Sequence, residues 1–484
     1  MFQGAKELRV YIENTEKPTL NEFAATHAQI ITSTEHTLKR LINLWKVRFS
    51  FIVKRYRPTL SVKELITVDH AIWKQFDSST AELSRSLLFQ WYFLLQDKSD
   101  YLDTYLKQND LAIERIRRKS NDRIPDALEK LSVSLLENFD LISNTEKNVL
   151  KMSLSYIVDL IDDDIAKIYR RFIPEYYFDL WQQKEAAMQI EGNEREIIES
   201  TVDEFISQFS TSIKSAKRFV LQQQIELLDN ENATKKKVVN MLQQIVMLLE
   251  RDEQKMQKAD YVGFVKQLLL DVFKGTPLVA VIGETGAKCT VDVQKYNANN
   301  FLGAANSTHI VSSSPISSSS TNADTSSCKL RKIHPRKIDL RIIGEKQQEI
   351  AFCEFKTHNA GKDLLQHQES KAIRLNQCII KKHGLVNPIT SINWKGWHGT
   401  MYQIVGCDGF CLATKLCDVL IPSDRRLVDS RIKSLVLSLF SWKSMLCSLN
   451  DEVSKKINEV GVKRKMYEDM PHTLLSPKHP SSLQ

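Results

Sequence analysis

Asp339 and Glu354 are the acidic residues of two short segments that read as neighbouring β-strands, KIDLRI at 337–342 and IAFCEFK at 350–356. In an extended strand, residues two apart share a face. Glu354 and Lys356 therefore lie side by side on a face whose earlier residues are apolar. Adjacent pairing of the two strands would bring Asp339 and Glu354 into one cleft, with an ammonium group beside them.

Two carboxylates that converge near a cationic group suit Mg²⁺, a hard cation that takes oxygen ligands and keeps several waters. Such an ion activates a water molecule and stabilises negative charge on a phosphodiester oxygen. Lys356 would hold the attacking water or help to deprotonate it. Asp339, Glu354 and Lys356 are therefore the predicted catalytic residues, and Mg²⁺ or Mn²⁺ is the expected cofactor.

Basic and amide side chains stand before and after the two strands. In the helical segment that follows the second strand, Gln368, Lys371 and Arg374 recur at three-residue steps on one broad face. Arg336 and Lys337 stand at the start of the first strand. Side chains of these types contact the phosphates of a nucleic-acid backbone. All five are predicted to bind nucleic acid, and DNA is favoured over RNA as the partner.

The excess positive charge of the chain lies in its second part. The whole sequence has a net charge of +8, and from Thr276 to the end there are 28 Lys and Arg against 18 Asp and Glu. The first 275 residues are therefore slightly acidic. A polyanionic partner would bind most naturally to the basic part. A general contribution of charge to solubility explains the same count, so the charge alone does not identify a partner.

The pattern of acidic and basic residues resembles that of the PD-(D/E)XK nuclease superfamily. Asp339 is followed fifteen residues later by Glu354–Phe355–Lys356 and then by a helix with polar and basic residues. The resemblance covers roughly residues 261–457. It implies a restriction-endonuclease-like α/β domain in which helices flank a mixed sheet, with Asp339 and Glu354 as metal ligands and Lys356 as the catalytic lysine. The backbone carbonyl of Phe355 would add a ligand.

The superfamily also tends to carry an acidic residue earlier in the chain, on the first helix or near the first strand. Glu284, just past the apolar run PLVAVIG at 277–283, is the expected third metal ligand, and Asp271 on the preceding helix is the alternative. The residue before Asp339 is Ile338, where the pattern has proline. Inactive members keep the fold and serve as binding modules. A catalytically inactive nucleic-acid-binding or protein-assembly module is therefore the alternative function to a metal-dependent endonuclease.

The elements that must position these residues change in character near residue 275. Before that point, apolar residues recur at three- and four-residue spacing, which is the pattern of amphipathic helices. The predicted fold class is α+β, with an all-α helical region at 1–260 followed by the α/β domain at 261–457. The second part is predicted to contain strands at 337–343, 349–357, 401–407 and 410–420, and helices at 362–383 and 427–456.

The most regular helical pattern lies within residues 194–258. Its apolar residues form a heptad-like seam, which consists of Ile198, Val202, Phe205, Phe209, Ile213, Ala216 and Val220. One interpretation is a coiled coil that makes the protein a homodimer. The other is a long antiparallel hairpin packed inside the chain's own helical domain, with a polar turn at 229–232 between its arms. The sequence leaves both interpretations open.

Two segments are predicted to be disordered. Residues 297–327 are rich in Ser, Thr and Asn, a composition that cannot bury a core. The basic tail at 458–484 also lacks apolar periodicity. Its triplet Lys463–Arg464–Lys465 is of the kind that serves in nuclear import.

Cysteine usage and hydropathy indicate the compartment. None of the eight cysteines precedes Cys289, and their spacing is not that of a zinc site. There is no run of about 18 apolar residues, so no membrane span is expected. The sequence also starts without the apolar core of a signal peptide. We therefore expect an intracellular protein, nuclear rather than cytoplasmic, that does not act at a membrane.

Overall fold

The chain forms two compact units, which comprise residues 1–112 and 113–484. A computed structural model describes residues 5–27, 38–69, 73, 78–182, 190–229, 232–250, 256–297, 336–407, 409–459 and 473–475. The fold class is α+β, as the sequence predicts. The division into units falls near residue 112, whereas the predicted boundary between the helical region and the α/β domain lies at 260–261, and one short strand, Ile157–Asp159, lies within the predicted all-α region.

The described part of the first unit is helical. Its helices are α1 (Ala5–Asn14), α2 (Leu20–Thr26), α3 (Leu38–Tyr56), α4 (Val62–Leu65), α5 (Ser78–Gln96) and α6 (Leu102–Arg117), the last of which continues into the second unit. The apolar face of α3 is buried, because Trp45 and Phe49 pack with Phe23 and Trp73 into one core.

The second unit contains the remaining described helices and all the described strands. Its helices are α7 (Ile124–Glu137), α8 (Asn144–Leu154), α9 (Asp163–Tyr169), α10 (Glu175–Gln182), α11 (Gly192–Thr211), α12 (Ile213–Asp229), α13 (Ala233–Leu248), α14 (Lys258–Phe273), α15 (Cys289–Asn297), α16 (Lys362–His383) and α17 (Val428–Glu459). Local signals set several of their ends. Ser143 and Glu146 form a capping box at the start of α8, and Gly384 ends α16 in the left-handed conformation that glycine favours.

The seam predicted within residues 194–258 is filled by the chain itself. Six of its seven residues are buried in α11 and α12, and Ile213 is partly buried against the same core. They share one hydrophobic cluster with Val238, Leu242 and Ile245 of α13. The seam therefore packs inside its own unit and cannot also form the surface between two copies. Formation of a homodimer through these helices remains a prediction, and it would require a helix face other than the seam.

The strands form two sheets that one extended segment joins. They are β1 (Ile157–Asp159), β2 (Val279–Ala287), β3 (Arg336–Ile343), β4 (Glu349–Cys353), β5 (Phe355–Lys356), β6 (Ile389–Lys395), β7 (His398–Cys407) and β8 (Phe410–Leu420). The orders are β2-β3-β4 and β1-β8-β7-β6-β5. The pairs β5–β6 and β1–β8 are parallel and the others are antiparallel, so the strands are mixed in direction, as expected. Only Glu354 separates β4 from β5.

Three helices cover the strands near that junction. α14, α16 and α17 share one hydrophobic core with β3, β4 and β6. Within the described ranges, the stretch Arg425–Ile457, most of which is α17, is long and apolar enough to cross a membrane. The core helix of a soluble protein passes the same test, and 61% of the apolar window in this stretch is buried inside the protein.

Part of the C-terminal tail is docked on the second unit. Thr473–Leu475 is buried, and the N–H of Leu474 donates to the Ser155 hydroxyl at the end of α8, at 2.9 Å. The carbonyl of Leu474 accepts a hydrogen bond of 2.6 Å from Arg374 of α16. The prediction of an unstructured tail is wrong for these three residues, because their apolar side chains and backbone groups find partners.

The other residues predicted to be disordered lie almost entirely outside the described residues. Asn297, the first residue of the predicted Ser-rich loop, is the last residue of α15. Residues 298–327 lie outside the described residues, as do 460–472 with the basic triplet Lys463–Lys465, and 476–484.

Side chains bridge the opening between the two sheets at Phe352 of β4. Asn376 of α16 is buried, and its Oδ1 accepts a hydrogen bond of 2.9 Å from the Phe352 N–H. Its Nδ2 donates to the Phe352 carbonyl at 3.0 Å and to the Tyr402 hydroxyl at 3.0 Å. The amide of Asn376 thus takes the place of a neighbouring strand.

We expect Asn376→Leu to lower the free energy of unfolding by about 3 kcal/mol, because the buried Phe352 N–H and the buried Tyr402 hydroxyl each lose a partner at roughly 1–3 kcal/mol. Urea unfolding monitored by circular dichroism measures this change. The matched control is Asn387→Leu at an exposed position, with an expected change within about 0.5 kcal/mol. Equal effects of the two substitutions would contradict the bridging function of Asn376.

Candidate active site

Asp339 and Glu354 lie opposite each other where the extended segment passes from one sheet to the other. β3 and β4 pair in antiparallel register, with Leu340 against Cys353. Asp339 and Glu354 are the next residue of each segment beyond this pair, and they are close enough for the charge of Asp339 to raise the pKa of Glu354. The two strands thus bring both predicted carboxylates to one cleft.

Asp339 is held by two donors from different elements. Its Oδ1 accepts a hydrogen bond of 2.7 Å from the Lys258 ammonium, at the first residue of α14. Its Oδ2 accepts one of 2.8 Å from the backbone N–H of Phe355. The carboxylate therefore spans the gap that opens between β3 and β5, and it keeps partial access to solvent.

The backbone of Phe355 points toward Asp339. The carbonyls of Glu354 and Lys356 accept hydrogen bonds of 2.9 and 2.8 Å from N–H groups in and just after β6. Successive residues of a strand direct their N–H and C=O groups to alternate sides. Phe355 therefore turns both groups away from β6 and toward the cleft, where the resemblance expects a backbone carbonyl as a metal ligand.

Glu354 is buried, with 4% of its side chain exposed. Its Oε1 accepts a hydrogen bond of 2.7 Å from the Lys371 ammonium, which also donates to the Lys337 carbonyl at 3.1 Å. Its Oε2 accepts no hydrogen bond from any described residue. Burial raises the pKa of Glu354 to about 7, and the neighbouring charge of Asp339 adds to the rise while that of Lys371 opposes it.

Lys356 lies two residues beyond Glu354 and is partly exposed. Its ammonium group forms no hydrogen bond or ion pair with a described residue. It lies near His367 of α16. Partial burial, followed by the charges of Lys151, Arg374, Lys356 and Lys371, lowers the pKa of His367 to about 4. Lys356 therefore has no carboxylate partner among the described residues, whereas Lys371 contacts the carboxylate of Glu354.

The two candidates for the third acidic residue lie at different places. The register of β2 and β3 pairs Ile282 with Leu340 and Thr285 with Ile338, so Glu284 lies in a bulge opposite Asp339. This placement rests on the backbone, since the Glu284 side chain is outside the described part of the structure.

Asp271, the alternative, lies near the other end of α14 from the cleft. Thirteen residues, or about 20 Å of helix, separate it from Lys258, which contacts Asp339. Its carboxylate accepts a weak hydrogen bond from Asn240 at 3.4 Å. The backbone geometry therefore favours Glu284 over Asp271.

Of the five residues predicted to bind nucleic acid, Lys337 is exposed and Arg336 is partly buried. Gln368 is buried and donates to the Trp394 carbonyl at 3.5 Å. Arg374 is buried and binds the docked tail through Leu474. The sequence predicts that Gln368 and Arg374 contact a polymer, but both side chains are buried. Residues at three-residue steps are displaced by about 60° per step around a helix, so this face turns into the core.

Lys258 is the residue of the cleft that the sequence did not indicate. It stands 81 residues before Asp339 in the chain, and its segment has no feature that distinguishes it from other helix starts. The sequence predicts Lys371 as a ligand of phosphate, whereas in the structure it is the partner of Glu354. The geometry thus adds two ammonium groups to the two carboxylates.

Comparison of the chain with protein-family models, with curated proteins and with solved structures gave no match. The cleft is therefore interpreted from its own residues and contacts. Among the residues whose placement the structure describes, no group of three or more His, Cys, Asp or Glu side chains is arranged to hold a metal ion. The Glu284 side chain is outside the described part of the structure and is therefore not among these side chains.

Proposed function

We propose that the chain is a metal-dependent nuclease that hydrolyses phosphodiester bonds of nucleic acid at the cleft between Asp339 and Glu354. The observation that carries the proposal is the convergence of these two carboxylates on one face at the point where the sheets separate. The resemblance to the PD-(D/E)XK superfamily supports the same activity, since the mixed strands and flanking helices are of the kind it implies.

The donor set fits a divalent cation such as Mg²⁺ or Mn²⁺. Glu354 offers an oxygen that accepts no hydrogen bond from a described residue, and burial, the main cause of its raised pKa, leaves the carboxylate with little solvation that a cation would have to displace. Asp339, Glu354, the Phe355 carbonyl and Glu284 are the groups that would hold the ion. When bound, such an ion supplies an activated water and stabilises charge on the phosphodiester oxygen.

The lysines have separate functions in this proposal. Lys371 holds Glu354 toward the cleft, and Lys258 holds Asp339, so each carboxylate has a fixed orientation before substrate binds. Lys356, which has no partner of its own, is the ammonium that would hold the attacking water. Lys337 and Lys356 are then the cations that face a backbone phosphate.

The partner and the compartment belong to the same proposal. After Gly275 the chain has 28 basic against 18 acidic residues, and this excess of positive charge supports a polyanionic substrate. We propose DNA rather than RNA as that substrate and the nucleus as the place of action.

A catalytically inactive nuclease fold is the second candidate function. The observation that favours it is that each carboxylate is already paired with an ammonium, Asp339 with Lys258 and Glu354 with Lys371. Such pairs neutralise carboxylates without a metal ion. The chain would then act as a nucleic-acid-binding or protein-assembly module.

Incubation of the purified full chain with single- and double-stranded DNA and RNA, in Mg²⁺ or Mn²⁺, tests the two functions against each other. A nuclease cleaves at least one polymer, and chelation of the metal by EDTA stops cleavage. Salt-sensitive binding without cleavage, unchanged in Asp339→Ala and Glu354→Ala, would establish the inactive module instead. Absence of both cleavage and binding at low salt would contradict both functions.

A further inference from the structure

An apolar stripe runs along the outer face of α12. Leu221, Ile225 and Leu228 are 56%, 65% and 76% exposed, and their spacing of four and three residues places them on one face of the helix. The opposite face is buried through Ala216, Val220, Gln223 and Leu227. Three large aliphatic side chains in a row, all more than half exposed, mark an interaction surface.

The charged residues of α12 extend this stripe in an unusual order. Lys214 and Arg218 continue the same four- and three-residue spacing toward the start of the helix, while Glu226 and Asp229 lie at its end. No ion pair joins any of the four to a described residue. Glu226 accepts hydrogen bonds only from the neighbouring amides of Gln222 and Gln223.

This order opposes the helix macrodipole. A helix start carries partial positive charge and favours acidic residues, whereas a helix end favours basic ones. α12 has no acidic residue in its first turn and no basic residue in its last. The helix therefore has basic side chains at its positive end and acidic side chains at its negative end, an order that a helix of opposite direction beside this face would complement.

We infer that this face of α12 binds a second copy of the chain in antiparallel orientation. A two-fold axis at the level of Gln223 sets Leu221 against Ile225 of the second copy and Arg218 against its Leu228. The basic end of each helix then lies beside Glu226 and Asp229 of the other, and the two macrodipoles oppose. A two-fold contact must be self-complementary, and this stripe is so in the placement of its apolar residues and of its charges.

The inference differs from the coiled coil that the sequence suggests. The predicted seam through Ile198 and Val220 is buried within the unit. The stripe at Leu221–Leu228 lies on the opposite side of the same helix. The proposed contact thus uses residues that the internal packing leaves free, and it does not depend on whether the cleft is catalytic.

Sedimentation velocity of the full chain over a range of concentrations tests the contact. We expect the wild-type protein to dimerise and the variant Leu221→Ser/Ile225→Ser/Leu228→Ser to remain monomeric. The control is Val386→Ser, which changes an aliphatic side chain that is 71% exposed elsewhere in the same unit. It should dimerise like the wild type. Circular dichroism spectra confirm that all variants are folded.

Charge reversal distinguishes the antiparallel orientation. Arg218→Glu and Glu226→Arg should each raise the dimer dissociation constant about tenfold or more, because each places like charges together at two symmetric positions. A mixture of the two variants should dimerise as well as the wild type, since each basic helix then meets an acidic one. A monomeric wild type, or a dimer insensitive to these substitutions, would overturn the inference.

Discussion

Asp339→Asn is expected to lower kcat for phosphodiester hydrolysis by about 10³-fold or more. A metal ion contributes several kcal/mol of charge stabilisation in the transition state, and each 1.36 kcal/mol corresponds to a factor of about ten in rate. Asparagine keeps the size of the side chain and can still accept the hydrogen bond from the Phe355 N–H. The substitution therefore removes the charge while it preserves the join between β3 and β5.

Single-turnover cleavage at saturating Mg²⁺ measures the rate, and thermal unfolding with and without Mn²⁺ measures the binding of metal. The matched control is Asp418→Asn on β8, a carboxylate that also pairs with a lysine, Lys415, but stands at the strand surface away from the cleft. It should change neither measurement. A Mn²⁺-induced stabilisation that persists in Asp339→Asn would remove Asp339 from the set of metal ligands.

Glu354→Gln is expected to make the metal-free protein more stable than the wild type at pH 8, and equally stable at pH 4.5. Burial raises the pKa of Glu354 from its ordinary value of 4.5 to about 7. Below pH 4.5 the group is protonated in both the folded and the unfolded chain. Between these values only the unfolded chain ionises, so the free energy of unfolding falls as the pH rises, by about 3 kcal/mol in all.

Glutamine has no proton to lose, so the contribution of this position should be constant over the same range of pH. Urea unfolding in EDTA at several values between pH 4.5 and pH 8 measures the difference between variant and wild type. Glu345→Gln, at an exposed turn position between β3 and β4, is the control and should follow the wild type. Parallel curves for Glu354→Gln and the wild type would show that Glu354 ionises normally in the folded protein.

Strong periodicity made much of the second unit predictable. The helix expected at 362–383 is α16 with the same limits, and the expected strands at 337–343 and 410–420 match β3 and β8 to within one residue. Two strands were missed. β1 has three residues, too few for any period to appear, and it is held by pairing with β8 about 250 residues away. β6 lies in a segment for which the sequence predicts neither a strand nor a helix.

The face shared by Asp339 and Glu354 follows from local alternation, which sequence can show. Their ammonium partners do not follow from it. Lys258 reaches Asp339 because α14 packs beside β3 and β5, and no local pattern encodes that packing. The burial of Arg374 likewise depends on Thr473–Leu475, one hundred residues further along the chain. Contacts of this range are set by the whole fold.

The pairing of Asp339 with Lys258 and of Glu354 with Lys371 has a consequence for the order of assembly. With all four groups ionised, these two pairs are electroneutral and attract a polyanion less than Lys337 and Lys356 do. A divalent cation held by the carboxylates would add two positive charges. Cation and polymer should then bind cooperatively, each raising the affinity for the other by the same factor. Lys258 and Lys371 would act as counterions of the two carboxylates, and nucleic acid would bind tightly to the cleft only when the metal ion needed for cleavage is also bound.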